Sequence, residues 1–165
     1  MEEYGLRALL CLARLQNSTT GNSDSMTIPE IAEFEGISIP YASKIMRKLR
    51  QGGLVEAVRG RTGGYKLTLK PAKITLLQAL EALGGPLMSA DYCDRYTGTQ
   101  DECVHTSDCS LRGAFGGFTG YLKQILQMTT LAEMTNKESD AREAVRRSTE
   151  FLIGGLEPKL PLDTN

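Results

Sequence analysis

Three of the four cysteines and the only histidine fall in one stretch, Cys93 to Arg112, CDRYTGTQDECVHTSDCSLR. Cys93, Cys103 and Cys109 are spaced C-x9-C-x5-C. Thiolates are soft ligands that suit iron–sulfur clusters and zinc. A structural zinc site usually shows close C-x2-4-C pairs, and these are missing, as are the common ferredoxin runs. The spacing alone therefore indicates a metal or redox site with the metal open: an iron–sulfur cluster, zinc, or thiols that bind no metal and form a disulfide when oxidised. His105, two residues beyond Cys103, is a candidate donor through the general metal affinity of imidazole. A lone loop histidine is more often solvated. The fourth cysteine, Cys11, sits in an apolar helical pattern and reads as core. A cysteine-based redox enzyme is disfavoured, because there is no C-x-x-C and no second histidine to act as a base.

The rest of the chain must position this loop. At 165 residues it is one domain, or a small domain with an appended helix. There is no apolar run of about 18 residues, so no membrane span is expected. The opening MEEYGLRALLCLARL has no basic start before its apolar part and does not read as a signal peptide, so a cytoplasmic location is expected. The net charge of −1 hides an asymmetry. Residues 1–75 carry 11 Lys/Arg against 7 Asp/Glu, and residues 76–165 carry 8 against 13. Between 40 and 70 there are eight basic residues (Lys44, Arg47, Lys48, Arg50, Arg59, Arg61, Lys66, Lys70) against Glu56 alone. A local basic patch on a near-neutral protein points to a polyanion partner at one face.

The patch lies on a recognisable sequence of elements. Leu6, Leu9, Leu10 and Ala13 mark one face of a helix over 3–15. The polar run NSTTGNSDS is a loop. Thr27-Ile28-Pro29-Glu30 has capping-box spacing for a short helix over 28–35, stopped by Gly36. Ser38 begins the next helix, with Pro40 tolerated in its first turn. Ala42, Ile45, Met46 and Leu49 form its buried stripe, which leaves Tyr41, Ser43, Lys44, Arg47 and Lys48 to point outward; Gly52-Gly53 ends it. A short helix, a tight turn and a helix with a basic outer face is the helix-turn-helix plan. Two β-like runs follow, Leu54–Val58 and Tyr65–Leu69, joined by a Gly-rich tip carrying Arg59 and Arg61. A hairpin after a helix-turn-helix is a wing, and two arginines on its tip suit a narrow minor groove and its phosphates. A nucleotide-phosphate loop is the weaker rival reading of the tip, since no G-x-x-x-x-G-K-[ST] follows and no helix opens after the glycines.

Thr75 and Gln78 repeat the capping-box spacing and open a helix to Leu83. After the polar loop, Leu111, Phe115, Phe118, Leu122 and Ile125 step by 4, 3, 4 and 3 along a helix over 110–128, a coiled-coil-like seam. Gly113, Gly116, Gly117 and Gly120 each lower helix propensity by ~1 kcal/mol relative to Ala and allow another backbone to approach closely. Thr130 caps a last short helix, residues 138–153 form a polar helix, and EPKLPLDTN is a loose tail.

The runs YASKIMRKLRQGGLVEAVRGRTGGYKLT and ITLLQALEAL, with the opening YGLRALLCLARL, resemble the Rrf2 family of bacterial winged-helix regulators over residues 2–135. The three-cysteine loop falls where cluster-binding members carry theirs. The resemblance implies that Cys93, Cys103 and Cys109 bind an iron–sulfur cluster, [2Fe-2S] or [4Fe-4S], completed by a non-cysteine ligand. Members resembling regulators of cluster assembly have a histidine three residues after the last cysteine, where this chain has Arg112. Members resembling nitric oxide sensors take an acid from the first helix of the other subunit, which here corresponds to Glu3, with Glu2 as the neighbouring alternative. Without a ligand role, Glu3 is an acid favoured near a helix N-terminus.

The expected fold is mainly α with a small β-hairpin, a winged helix-turn-helix plus a long dimerisation helix. Its parts are a DNA-binding domain over 1–84, a cysteine-rich cluster-binding loop over 85–109, a dimerisation region over 110–136, and a C-terminal helix and tail over 137–165. The expected function is a homodimeric regulator, not an enzyme, that senses redox state, nitric oxide or iron–sulfur status. Its partner is a double-stranded DNA operator, met by Ser38, Tyr41, Ser43, Lys44, Arg47, Lys48, Arg59 and Arg61. The alternative is a zinc-stabilised or cluster-free thiol-based winged-helix regulator.

Overall fold

Apolar residues at three- and four-residue steps make α1 (Glu2–Asn17), which buries Gly5, Ala8, Leu9, Cys11, Leu12 and Ala13. In this computed structural model the described residues are 1–17, 25–60, 63–84, 99 and 101–154. Cys93 and Arg61 lie outside them, as does the C-terminal tail. Helix α2 (Ile28–Glu35) opens with the Thr27/Glu30 capping box and closes on Gly36, whose φ of 65° puts it in the left-handed region where glycine lacks the Cβ penalty. Helix α3 (Ile39–Gln51) has Ser38 as N-cap, its side-chain oxygen accepting the Tyr41 N–H, and buries Ala42, Ile45, Met46 and Leu49, the expected stripe.

Strands β1 (Val55–Val58) and β2 (Gly64–Leu67) form the antiparallel wing, with Val55 opposite Leu67 and Glu56 opposite Lys66. Strand β2 starts one residue earlier and stops two earlier than expected, because Leu69 is exposed and outside the ladder. Met26 adds a one-residue bridge to Tyr65 through Met26 N–H to Tyr65 O at 3.0 Å and the reciprocal bond at 2.7 Å. The wing is thereby tied to the segment that leads into α2.

A single 3-10 turn (Pro71–Lys73) precedes α4 (Leu76–Leu83), whose N-terminus carries the Thr75/Gln78 capping box. Long helix α5 (Ser110–Met128), short α6 (Leu131–Met134) and α7 (Glu138–Gly154) complete the described chain. The entry to α4 and the entry to α6 are joined by Leu76 N–H to Thr129 O and Leu131 N–H to Ile74 O, both 2.9 Å.

One core unites α1, α2, α3 and the wing with α4 and α6. Leu9, Leu12, Ile31, Ile45, Met46, Leu49, Ile74, Leu83 and Leu131 belong to it. Burial of such side chains supplies roughly 1.5–3 kcal/mol each. Helix α1 meets α4 tightly at Gly5, where a Cβ would lie 2.2 Å from a Leu83 methyl carbon. Helix α5 packs beside α4 and α7 but has no fully buried residue of its own.

Candidate nucleic-acid interface and metal centre

The helix-turn-helix presents one exposed, basic surface. Ser38, Lys44 and Arg47 are exposed on α3, Ser43 is half-buried beside them, and Arg59 is exposed at the end of β1. The Ser38 oxygen is engaged as the N-cap acceptor, which leaves its proton available to a ligand. At the wing tip the Gly63 N–H donates to Gly60 O at 2.9 Å, and Gly60 has a φ of 117°. Lys66 is less available than its place in the basic run suggests, since it pairs with Glu56 across the hairpin at 3.2 Å.

Two residues depart from the expected outward orientation. Lys48 Nζ donates to Leu83 O at 2.8 Å. Its charge therefore sits on the C-terminal carbonyls of α4, where the helix dipole favours a cation. Tyr41 is half-buried and meets Tyr4 of α1 edge-to-face, with ring centroids 5.9 Å apart. Both positions were assigned from helical spacing, which does not see that α1 and α4 flank α3.

A polar chain that sequence reading missed runs through the same region. Arg7 of α1 donates from Nε to Glu35 Oε2 of α2 at 2.5 Å, and the Glu35 side chain is only 5% exposed. The Arg7 guanidinium also lies 5.3 Å from the Tyr4 ring centroid, a cation–π distance. Glu35, Arg7, Tyr4 and Tyr41 thus link α2, α1 and α3. The one sequence signal was an acid in an otherwise buried position of α2.

The described part of the cysteine loop ends at Cys109, the N-cap of α5, whose Sγ accepts the Arg112 N–H at 3.4 Å. Arg112 then turns back over the loop, Nη2 donating to Thr106 O at 3.0 Å and Nη1 to His105 O at 3.5 Å. So Arg112, which replaces a ligand position in one subgroup, holds the loop's backbone against the first turn of α5. Cys103 and Cys109 are free, half-buried thiols. His105 and Glu3 are exposed, and Glu2 accepts from the Met1 amino group at 3.2 Å. The Glu2 carboxyl is held below its usual value by hydrogen bonding to its own backbone and then by that amino group. Among the described residues no three or more His, Cys, Asp or Glu groups come together as a metal site. Cys93 is outside that set. Cys11 is buried as expected, with Sγ 3.3 Å from Met26 Sδ.

The family model described as Rrf2, iron-dependent transcriptional regulator, matches residues 2–137. The chain belongs to the Rrf2 family. It is 30% identical over 129 residues to an Rrf2-like putative helix-turn-helix regulator of Rhodobacter capsulatus, covering 77% of this chain and 85% of that protein. It is 31% identical over 144 residues to the regulator NsrR of Geobacillus kaustophilus, covering 87% of this chain and 92% of that one. Among solved structures it is similar to T. potens IscR, with a TM-score of 0.61 and 28% identity over 87% of this chain and 86% of that chain. This Rrf2 chain is a helix-turn-helix transcriptional regulator and not an enzyme. Among its described residues no helix is long and apolar enough to cross a membrane.

Proposed function

We propose that this Rrf2 protein is a homodimeric regulator whose operator affinity depends on an iron–sulfur cluster held by Cys93, Cys103, Cys109 and, from the other subunit, Glu3. Two free thiols at the entry to α5, in a loop whose backbone Arg112 holds, carry the reading. Thiolate donors fit such a cluster. The similarity to NsrR and IscR proteins supports it. Bound there, the cluster supplies a centre that responds to oxidants, to nitric oxide or to loss of iron.

The chain's own residues explain how such a site reaches DNA. Glu3 precedes Tyr4, which packs on Tyr41 of α3, and lies one turn before Arg7, which holds Glu35 of α2. Engaging or releasing the Glu3 carboxylate shifts the first turn of α1. That shift passes by direct contact to both helices of the helix-turn-helix, a two-site coupling. Lys44, Arg47, Arg59 and Arg61 supply cationic contacts to the duplex, with Ser38 and Ser43 as hydroxyl donors.

Homodimerisation rests on α5. Leu111 and Phe118 are 62% and 65% exposed on it, and nothing lies within 4 Å of a Cβ placed on Gly113, Gly116, Gly117 or Gly120. A 19-residue helix with an apolar seam and glycines open to close approach fits a second copy of itself.

Purification without oxygen, followed by the visible spectrum and by iron and sulfide analysis, tests the reading. A coloured protein with matched iron and sulfide is expected. A colourless, zinc-containing protein that binds its operator normally would sink it in favour of the zinc-stabilised alternative. Glu3→Ala, prepared the same way, should shorten the cluster lifetime, and an unchanged spectrum and lifetime would remove Glu3 as a ligand.

A further inference from the structure

The first turn of α3 carries an unusual chemistry for a base-reading end. Ser38, Ile39 and Pro40 are exposed there. Residues 38–43 hold no Arg, Lys, Asn or Gln, so the groups that make bidentate bonds to guanine or adenine are absent from this turn. The cations begin at Lys44, a turn further on. Helix N-terminal residues are the ones that reach base edges in a helix-turn-helix.

Ile39 is the large apolar group among them, 53% exposed. It is not needed to fill the core, since Ala42, Ile45, Met46 and Leu49 already do so. A branched aliphatic side chain left in water at a base-reading position has one distinctive partner on the major-groove floor, the C5-methyl of thymine. Ser43, one turn along and half-buried, can add a hydroxyl bond to a neighbouring base. Lys44 and Arg47 then anchor the helix electrostatically.

We infer that Ile39 is a specificity-determining residue that reads a thymine methyl group in each operator half-site. This inference rests on the assignment of α3 as the recognition helix.

The test uses the purified full chain and a library of random double-stranded DNA. Rounds of selection should enrich a motif with a fixed T·A pair in each half. Replacing that thymine by deoxyuridine, which removes the methyl alone, should weaken binding roughly fourfold per half-site, the size expected for losing one buried methyl contact. Ile39→Ala should bind the thymine and deoxyuridine duplexes equally, and Ile39→Val should retain part of the discrimination. If no thymine in the selected motif is sensitive to deoxyuridine in the unmodified protein, the inference fails whatever the variants do. An Ile39→Ala protein with undiminished thymine preference also overturns it. Absence of any enriched motif overturns the recognition-helix assignment itself, an outcome distinct from the other two.

Discussion

Arg7 on α1 holds the buried carboxylate of Glu35 on α2, Nε donating to Oε2 at 2.5 Å. The two residues are 28 apart in sequence, and the bond fixes α1 against the first helix of the helix-turn-helix. Removing the cation leaves a buried carboxylate without this partner. Arg7→Ala should destabilise the protein by about 1–3 kcal/mol, a value reduced from that of a fully buried pair because Arg7 is half exposed. Urea denaturation measures it, and Arg7→Ala/Glu35→Leu should recover part of the loss. A cost below about 0.5 kcal/mol would mean that solvent screens the pair.

Lys44 and Lys48 lie one turn apart on α3 and should behave differently. Lys48→Met should lower stability by about 1 kcal/mol, through loss of its bond to Leu83 O and of a cation at the end of α4. It should leave the salt dependence of DNA binding nearly unchanged. Lys44→Ala should leave stability within about 0.5 kcal/mol and make the log K against log salt plot shallower by about one unit if the contact is to phosphate. Titrations over a range of salt, set beside thermal melts, separate the two. Equal salt slopes for both variants would return Lys48 to the DNA face.

Burial raises the Cys11 thiol above its ordinary value, with nearby Glu35 adding to the effect. The folded state therefore holds this proton more tightly than the unfolded chain. The contribution is fully present below the unfolded thiol's pKa of about 8.5 and is lost as pH rises through the folded value. Stability should fall on going from pH 8 to pH 10, and less steeply in Cys11→Ala, as thermal melts at each pH would show. In the native, metal-free protein a thiol reagent should modify Cys103 and Cys109 readily and Cys11 slowly. Rapid labelling of Cys11 would contradict its burial.

The proposed dimer would rest on Leu111 and Phe118, whose apolar side chains are exposed on α5. Phe118→Asp should shift the protein from dimer to monomer, measured by light scattering on a sizing column, while retaining helical circular dichroism. The Phe115–Phe118 edge-to-face pair would be lost as well. A dimer that survives Phe118→Asp unchanged would place the contact elsewhere.

Much of the fold was legible because local rules decide it. Thr27 with Glu30, Thr75 with Gln78, and Gly36 announced helix ends by chemistry confined to four residues, and each end is where those rules put it. The core stripe of α3 followed from period alone. Lys48 and Tyr41 were misplaced because their partners, Leu83 and Tyr4, are 35 and 37 residues away. Helical spacing separates inner from outer faces, but a long or amphipathic side chain at the boundary goes where tertiary neighbours offer a carbonyl or a ring. The loop cysteines were visible by type. The role of Arg112 was not, because a guanidinium bonding to backbone carbonyls leaves no mark on the identity of the residues it holds.

The approach of Gly5 to Leu83 has a consequence for sequence variation. A methyl group at position 5 would overlap a leucine that is itself fully enclosed, in a core that does not yield easily to added volume. The two positions therefore form a volume pair. Across related chains, a larger residue in the first helix at this point should accompany a smaller one at the end of α4, and correlated substitution between two sites 78 residues apart would be the record of that contact.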